Sequence, residues 1–218
     1  MERPQAESYR TVRGEGRYEE TIQKSRFIGI AFPAFSEAEA KAALDRVRAE
    51  FPDASSLCYG YVCGASGQLQ RFYDDHEPVG GMPILDAIRK RGLIGCGCAV
   101  VRYFGGIKLG AGGLARAFGS AAIAAIDAAQ PGLAEKSLRY QVVFDYSLQG
   151  KMEYELAHSP HRLEQVEFGM DVTMTVLVRA ADRATFEDLV GNITNGQALY
   201  EVTEEIFSFW DSSRKVSL

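Results

Sequence analysis

The sequence predicts an α+β protein of two domains, and three features carry that expectation. Short apolar runs of strand length are interleaved with amphipathic runs of helical period. Residues 135–218 read in the order β-α-β-β-α-β. Gln130-Pro131-Gly132 separates that stretch from a first part of different charge balance, so domains are drawn at 1–131 and 135–218.

The elements follow in order. Residues 9–12 and 18–23 alternate around Gly14-Glu15-Gly16 and read as a hairpin. Lys24-Ser25-Arg26 leads into an apolar strand at 27–32. Ser36 caps the next helix, with Glu39 three residues on as in a capping box. Ala40, Ala43, Leu44 and Val47 form its buried stripe. Residues 57–62 and 69–73 bracket a turn at 64–67 as a second hairpin. Pro83 opens a short helix with Ile84, Leu85 and Ile88 on one face. A buried strand at 94–101 enters a Gly-rich turn, and an Ala-rich helix covers 114–129. In the second part a strand at 139–146 precedes a helix at 147–158 with Met152 and Leu156 inward. Strands at 163–168 and 171–178 flank Gly169, Asp182 caps a helix carrying Phe186, Leu189, Val190 and Ile193, and residues 200–209 form the last strand. That is the split-βαβ, ferredoxin-like order, which alone says nothing specific about function.

A chain of 218 residues holds one large or two small domains with proper cores. No apolar run approaches the ~18 residues of a membrane span, and Met1-Glu2-Arg3-Pro4-Gln5 carries no apolar signal region, so a cytoplasmic protein is expected. Cys58, Cys63, Cys96 and Cys98 then read as reduced thiols. Their C-x4-C and C-x-C spacings are poor tetrahedral clips, and neither a metal nor a cofactor is expected. His76, His158 and His161 form no pairing of a nucleophilic type, and the last two flank Pro160 in a solvated turn. The net charge of −5 is uneven. Residues 1–134 hold sixteen basic against fifteen acidic side chains, and residues 135–218 eight against fourteen. The acidic total excludes avid non-specific nucleic-acid binding, while a local basic surface on the first part stays open.

The run from Val100 to Leu114 is the most informative stretch. A β-branched strand meets Tyr103 and Phe104, then five glycines within residues 105–113 that carry one lysine. A strand end, a Gly-rich turn and a helix start can form a cup of backbone N–H groups suited to an anion such as a phosphate. Glycines at such a turn can equally serve close packing. The phosphate-loop pattern fails, because Ala111 stands where its lysine belongs after Gly105 and Gly110. Gly105-Gly106-Ile107 lacks the spacing of a dinucleotide site. The candidate phosphate or RNA contacts are Lys24, Arg26, Arg102, Tyr103, Gly105, Gly106, Lys108, Gly110 and Arg116. Tyr103 and Phe104 are strand neighbours, so at most one presents a stacking face for a base. Asp74, Asp75 and Glu77 form a tight acidic cluster before Pro78. It could hold a hard cation with phosphate oxygens or do acid–base work. An ion pair with Arg102 or Lys108 is the reading adopted, and no catalytic residue is assigned.

Three blocks carry a resemblance to the YigZ/IMPACT family: Lys24-Ser25-Arg26-Phe27, Asp74-Asp75-His76-Glu77-Pro78 with Gly80-Gly81 and Pro83-Ile84-Leu85, and Arg102 through Gly110 with Gly112-Gly113-Leu114-Ala115-Arg116. The resemblance implies a first domain similar to domain IV of elongation factor G and a ribosomal-protein superfold. It implies a ferredoxin-like second domain of the sort also found in that factor. Family members are discussed as nucleic-acid or ribosome-associated proteins, and eukaryotic relatives regulate translation through a stress-responsive kinase pathway. No established reaction comes with the family. This chain departs from the usual Asp-Asp-Gly-Glu-Pro-Ser-Gly-Thr-Ala-Gly pattern at His76 and Val79, with a loop two residues shorter, and has Ser56 in place of a histidine. The expected function is non-enzymatic binding associated with translation, to RNA, the ribosome or a regulatory protein partner. The alternative is a hydrolase of a phosphate-bearing or peptide substrate using the acidic cluster and the Gly-rich loop. No membrane partner is expected, and the oligomeric state is not readable.

Overall fold

Ser25–Pro33 (β3) and Cys96–Tyr103 (β6) are buried almost without interruption, the pattern of strands covered on both faces. In the computed structural model, which describes residues 6–210, they pair antiparallel with Phe27 opposite Arg102 and Ala31 opposite Cys98. Gly16–Ile22 (β2), Ser56–Cys63 (β4) and Leu69–Tyr73 (β5) complete the sheet in the order β2-β3-β6-β4-β5. Residues 1–5, read above as lacking a signal region, lie outside the described part.

Helices cover both faces. Glu37–Glu50 (α1) places Ala40, Ala43, Leu44 and Val47 against Ile28, Ile30 and Val101. Its start is the expected box: the Ser36 hydroxyl accepts the Glu39 N–H at 3.2 Å, and the Glu39 carboxylate accepts the Phe35 N–H at 2.8 Å. Gly81–Lys90 (α2) and Gly110–Ala128 (α3) pack Ile84, Ile88, Phe118 and Ala121 on the other face, against Phe27, Cys58 and Val100. All four cysteines are buried free thiols, and no metal-holding cluster exists among the described residues.

The first hairpin differs from the expectation. Ser8–Val12 (β1) is a strand but not a neighbour of β2; instead β2 turns into β3 through Gln23 and Lys24. Both turn residues are left-handed, at φ 45° and 64°, as a two-residue hairpin turn requires. Neither is the glycine or asparagine that would have signalled it. Helices α2 and α3 also begin earlier than read, because Gly81 and residues 110–113 join the first turns.

The chain divides into two compact units, Met1–Leu133 and Ala134–Leu218. Pro131–Phe144 (β7), Gln149–Ala157 (α4), Arg162–Phe168 (β8), Val172–Arg179 (β9), Arg183–Thr194 (α5) and Leu199–Phe209 (β10) follow in chain order. The strands lie in the order β10-β7-β9-β8, and Tyr140, Val142, Met174 and Val176 meet Met152, Leu156, Phe186 and Val190 of the helices. The α+β class thus holds, with the ferredoxin-like arrangement in the second unit. Two readings there are corrected. Asp182 makes no side-chain cap and lies 3.6 Å from Arg179. His161 is 7% exposed rather than solvated, edge-on to Phe186. Ala129 and Gln130 are the only residues between the end of α3 and β7, so Pro131 and Gly132 begin a strand. No helix among the described residues is long and apolar enough to cross a membrane.

Candidate functional site

The three family-like blocks converge on the end of β6. Ser25, fully buried at the start of β3, accepts the Gly105 N–H at 3.1 Å and an Arg102 Nη2 hydrogen bond at 3.3 Å through its hydroxyl. That bond draws the Gly-rich loop onto the β2–β3 turn. A Cβ on Gly105 would lie 2.0 Å from the Lys24 carbonyl carbon, so only glycine lets the two backbones approach this closely.

Arg102 is 5% exposed. Its Nη1 donates to Glu77 Oε1 at 2.5 Å, the Ser56 hydroxyl donates to the same oxygen at 3.1 Å, and the guanidinium carbon lies 5.5 Å from the Phe27 ring centroid and 5.2 Å from that of Phe104. A charge this deep persists only because it is paired. The other two carboxylates are engaged as well. Asp75 accepts the Leu57 N–H at 2.7 Å. Asp74 accepts the Gly81 N–H at 2.7 Å, which places a negative charge at the N-terminus of α2 where the helix dipole favours it. The Cys58 thiol donates to the Asp74 carbonyl at 2.9 Å. Burial, then the charges of Glu77, Asp74 and Asp75, push that thiol far above its ordinary range, so it stays protonated and is no nucleophile. A side chain at Gly80 would collide with its sulfur, at 2.3 Å. The acidic loop is thus brought against Arg102 and turned inward.

The outer surface is different in character. Phe104 is 47% exposed and Ile107 42%, while Gly106 and Gly110 take left-handed φ and lie at the surface with Lys108. Helix α3 starts with no side-chain cap and no acidic residue in its first turn. Its free N–H groups and dipole therefore face solvent as partial positive charge. A Cβ on Gly112 would lie 3.8 Å from Arg116 Nη1, which places that guanidinium beside the same turn. Lys24, Lys108 and Arg116 have no ion-pair or hydrogen-bond partner among the described residues.

The structure thus sorts the nine phosphate candidates. Lys24, Lys108 and Arg116 are unpaired cations around Gly105, Gly106 and Gly110. Arg102 is sealed beneath them. Arg26 is held by Glu19 in a two-point bridge of 2.7 and 2.8 Å and covers the Tyr103 ring, whose hydroxyl donates to Asp53 at 2.8 Å. Sequence reasoning missed Ser25 and Ser56 as bond-makers, and Ser55, whose hydroxyl accepts the Phe104 N–H at 2.9 Å. It also carried Tyr103 forward as the aromatic, whereas Phe104 is the exposed ring. Alternation along β6 could have indicated that one of the two faced out but not which.

Residues 23–126 match the Impact N-terminal domain, and residues 142–197 match a domain of unknown function, DUF1949. The chain is 34% identical over 195 residues to "IMPACT family member YvyE" of Bacillus subtilis, covering 88% of this chain and 89% of that protein. It is 32% identical over 190 residues to "IMPACT family member YigZ" of Escherichia coli, covering 85% and 93%. A solved structure titled "Crystal structure of an hypothetical protein" is similar at a TM-score of 0.58 and 30% identity, over 91% of this chain and 98% of that one. Arg102, Glu77 and the glycine loop lie within the first matched region, and the relatives extend the match across both units: the chain belongs to the IMPACT family.

Proposed function

We propose that this protein acts by binding RNA in a translation-related regulatory context, with the loop at 105–113 as its phosphate contact. The observation that carries this reading is the uncapped start of α3 with Lys108 just before it and Arg116 beside its first turn, and Lys24 on the turn that packs against Gly105, none of the three paired among the described residues. Lysine and arginine beside free backbone N–H groups suit phosphate oxygens and carry no base preference. Phe104 supplies a flat apolar surface on which an unpaired base can stack. Family membership is in keeping with the translation-related context. The acidic loop favours no hydrolytic reading, since each carboxylate is already engaged by Arg102, Leu57 or Gly81.

The test is binding of single-stranded RNA to the full chain across a salt series. The net charge of −5 makes the affinity weak, on the order of 10⁻⁴–10⁻⁶ M. The triple variant Lys24→Ala/Lys108→Ala/Arg116→Ala should flatten the log–log salt slope by about 2, at about 0.7 per phosphate on single strands. Phe104→Ala should weaken binding without changing that slope. An unaltered affinity and slope in the folded triple variant would remove RNA from this surface.

A further inference from the structure

The second unit carries an apolar groove with an acidic rim. It is framed by the end of β7, the β8–β9 tip and the α5–β10 loop, and measures about 200 Å³. Val143, Leu148, Ala198 and Leu199 supply apolar lining, and Asp145 and Asp171 add carboxylates. The surface beside it is unusually apolar: Leu199 is 75% exposed, Phe168 63% and Met170 96%. The tip is nevertheless held in place. The Tyr146 ring stacks on Phe168 with centroids 6.3 Å apart, and its hydroxyl donates to the Gly169 carbonyl at 2.9 Å.

Neither Asp145 nor Asp171 has a basic partner among the described residues, and no lysine or arginine lines the groove. The Ser147 hydroxyl and N–H hold the Asp145 carboxyl below the usual carboxylate range, so it is charged at neutral pH. Apolar area kept exposed on a pinned tip is characteristic of an interaction site. Unpaired carboxylates at its rim select the sign of what binds.

We propose that this groove docks a short segment of another protein, one bulky apolar side chain entering between Leu148 and Leu199 with lysine or arginine on either side to meet Asp145 and Asp171. Nucleic acid and anionic lipid are repelled by the rim. A second copy related by a two-fold axis would bring the same carboxylates face to face. Exposed methionine gives such a surface adaptable contacts, and the aromatic ring adds contact area at small entropic cost.

The probe is a fluorescein-labelled peptide, Lys-Arg-Leu-Phe-Lys-Arg, titrated with the full chain and followed by anisotropy. Saturable binding is expected. Asp145→Lys/Asp171→Lys should weaken it more than tenfold, and Leu199→Ser more than fivefold. Asp145 also accepts the Ser147 N–H and hydroxyl, so Asp171→Lys alone, at an exposed position, is the companion variant: it should weaken binding with circular dichroism unchanged. Asp188→Lys, an exposed charge on α5 outside the groove lining, should leave binding as it was. A companion peptide with serine in place of leucine and phenylalanine should bind at least tenfold more weakly. Equal binding of the two peptides, or of the Asp188 and Asp145/Asp171 variants, would reduce the effect to net charge and overturn the proposal. No binding of the basic peptide, or dimerisation in sedimentation that Met170→Ser abolishes, would also overturn it.

Discussion

Arg102 and Glu77 are worth more to the fold together than either is alone. Their side chains are 6% and 11% exposed, so removing one partner leaves a buried charge without its counterion. Arg102→Met alone, or Glu77→Gln alone, should cost about 3–5 kcal/mol in urea unfolding. The double variant Arg102→Met/Glu77→Leu should recover much of that, because well-packed apolar groups often replace a buried pair without loss. His161 gives the second unit a pH dependence. Burial lowers its pKa below 6.5, with Arg179 acting the same way and Asp182 opposing. Above about pH 6.5 the imidazole is neutral in both folded and unfolded chains. Below it the unfolded chain binds a proton that the folded chain resists, so stability falls as pH drops. The slope approaches at most about 1.4 kcal/mol per pH unit. Melting curves between pH 7.5 and 5 should show this, and His161→Leu should flatten them.

At the scale of elements, the β2–β3 turn separates structure from binding. Lys24 sits at φ 64°, where a side chain is strained, and its ammonium is unpaired among the described residues. Lys24→Gly should therefore keep or raise stability by about 1 kcal/mol while weakening RNA binding. Gly105→Ala should do the reverse, costing about 1–3 kcal/mol by forcing the loop off the turn. The stripe Ala40, Ala43, Leu44 and Val47 and the β4–β5 hairpin were legible because their periodicity is local and complete. The β2–β3 hairpin was not, since Gln23 and Lys24 adopt a conformation their residue types do not announce. The start of α3 was hidden for the opposite reason: glycines signal a turn even when they open a helix. Asp182 had the residue type of a cap, but Arg179 lies close enough to compete for its carboxylate.

Over the whole molecule, the three sequence blocks do come together at the end of β6, but the sequence does not show which of their residues are available. Arg102 and Lys108 are equally basic in the sequence, and only the strand pairing shows one sealed and the other in water. The same comparison bears on proteolysis. Leu133 lies in β7, whereas residues 104–109 have no regular structure. Brief chymotrypsin treatment should cut first after Phe104 or Leu109 and spare Leu133. Bound RNA should slow that first cut, which peptide mass fingerprinting would register.

The strand order β2-β3-β6-β4-β5 puts the last-made strand in the middle of its sheet. During synthesis the β2–β3 and β4–β5 hairpins can each close early, yet β3 and β4 then carry bare edges until residues 96–103 arrive between them. At about 5–20 residues per second that wait lasts roughly 1–6 s. Through it the nascent chain presents two open templates for pairing with a neighbour. A chain arrested before Cys96 should be held by chaperones, and one arrested with α3 fully emerged should be released.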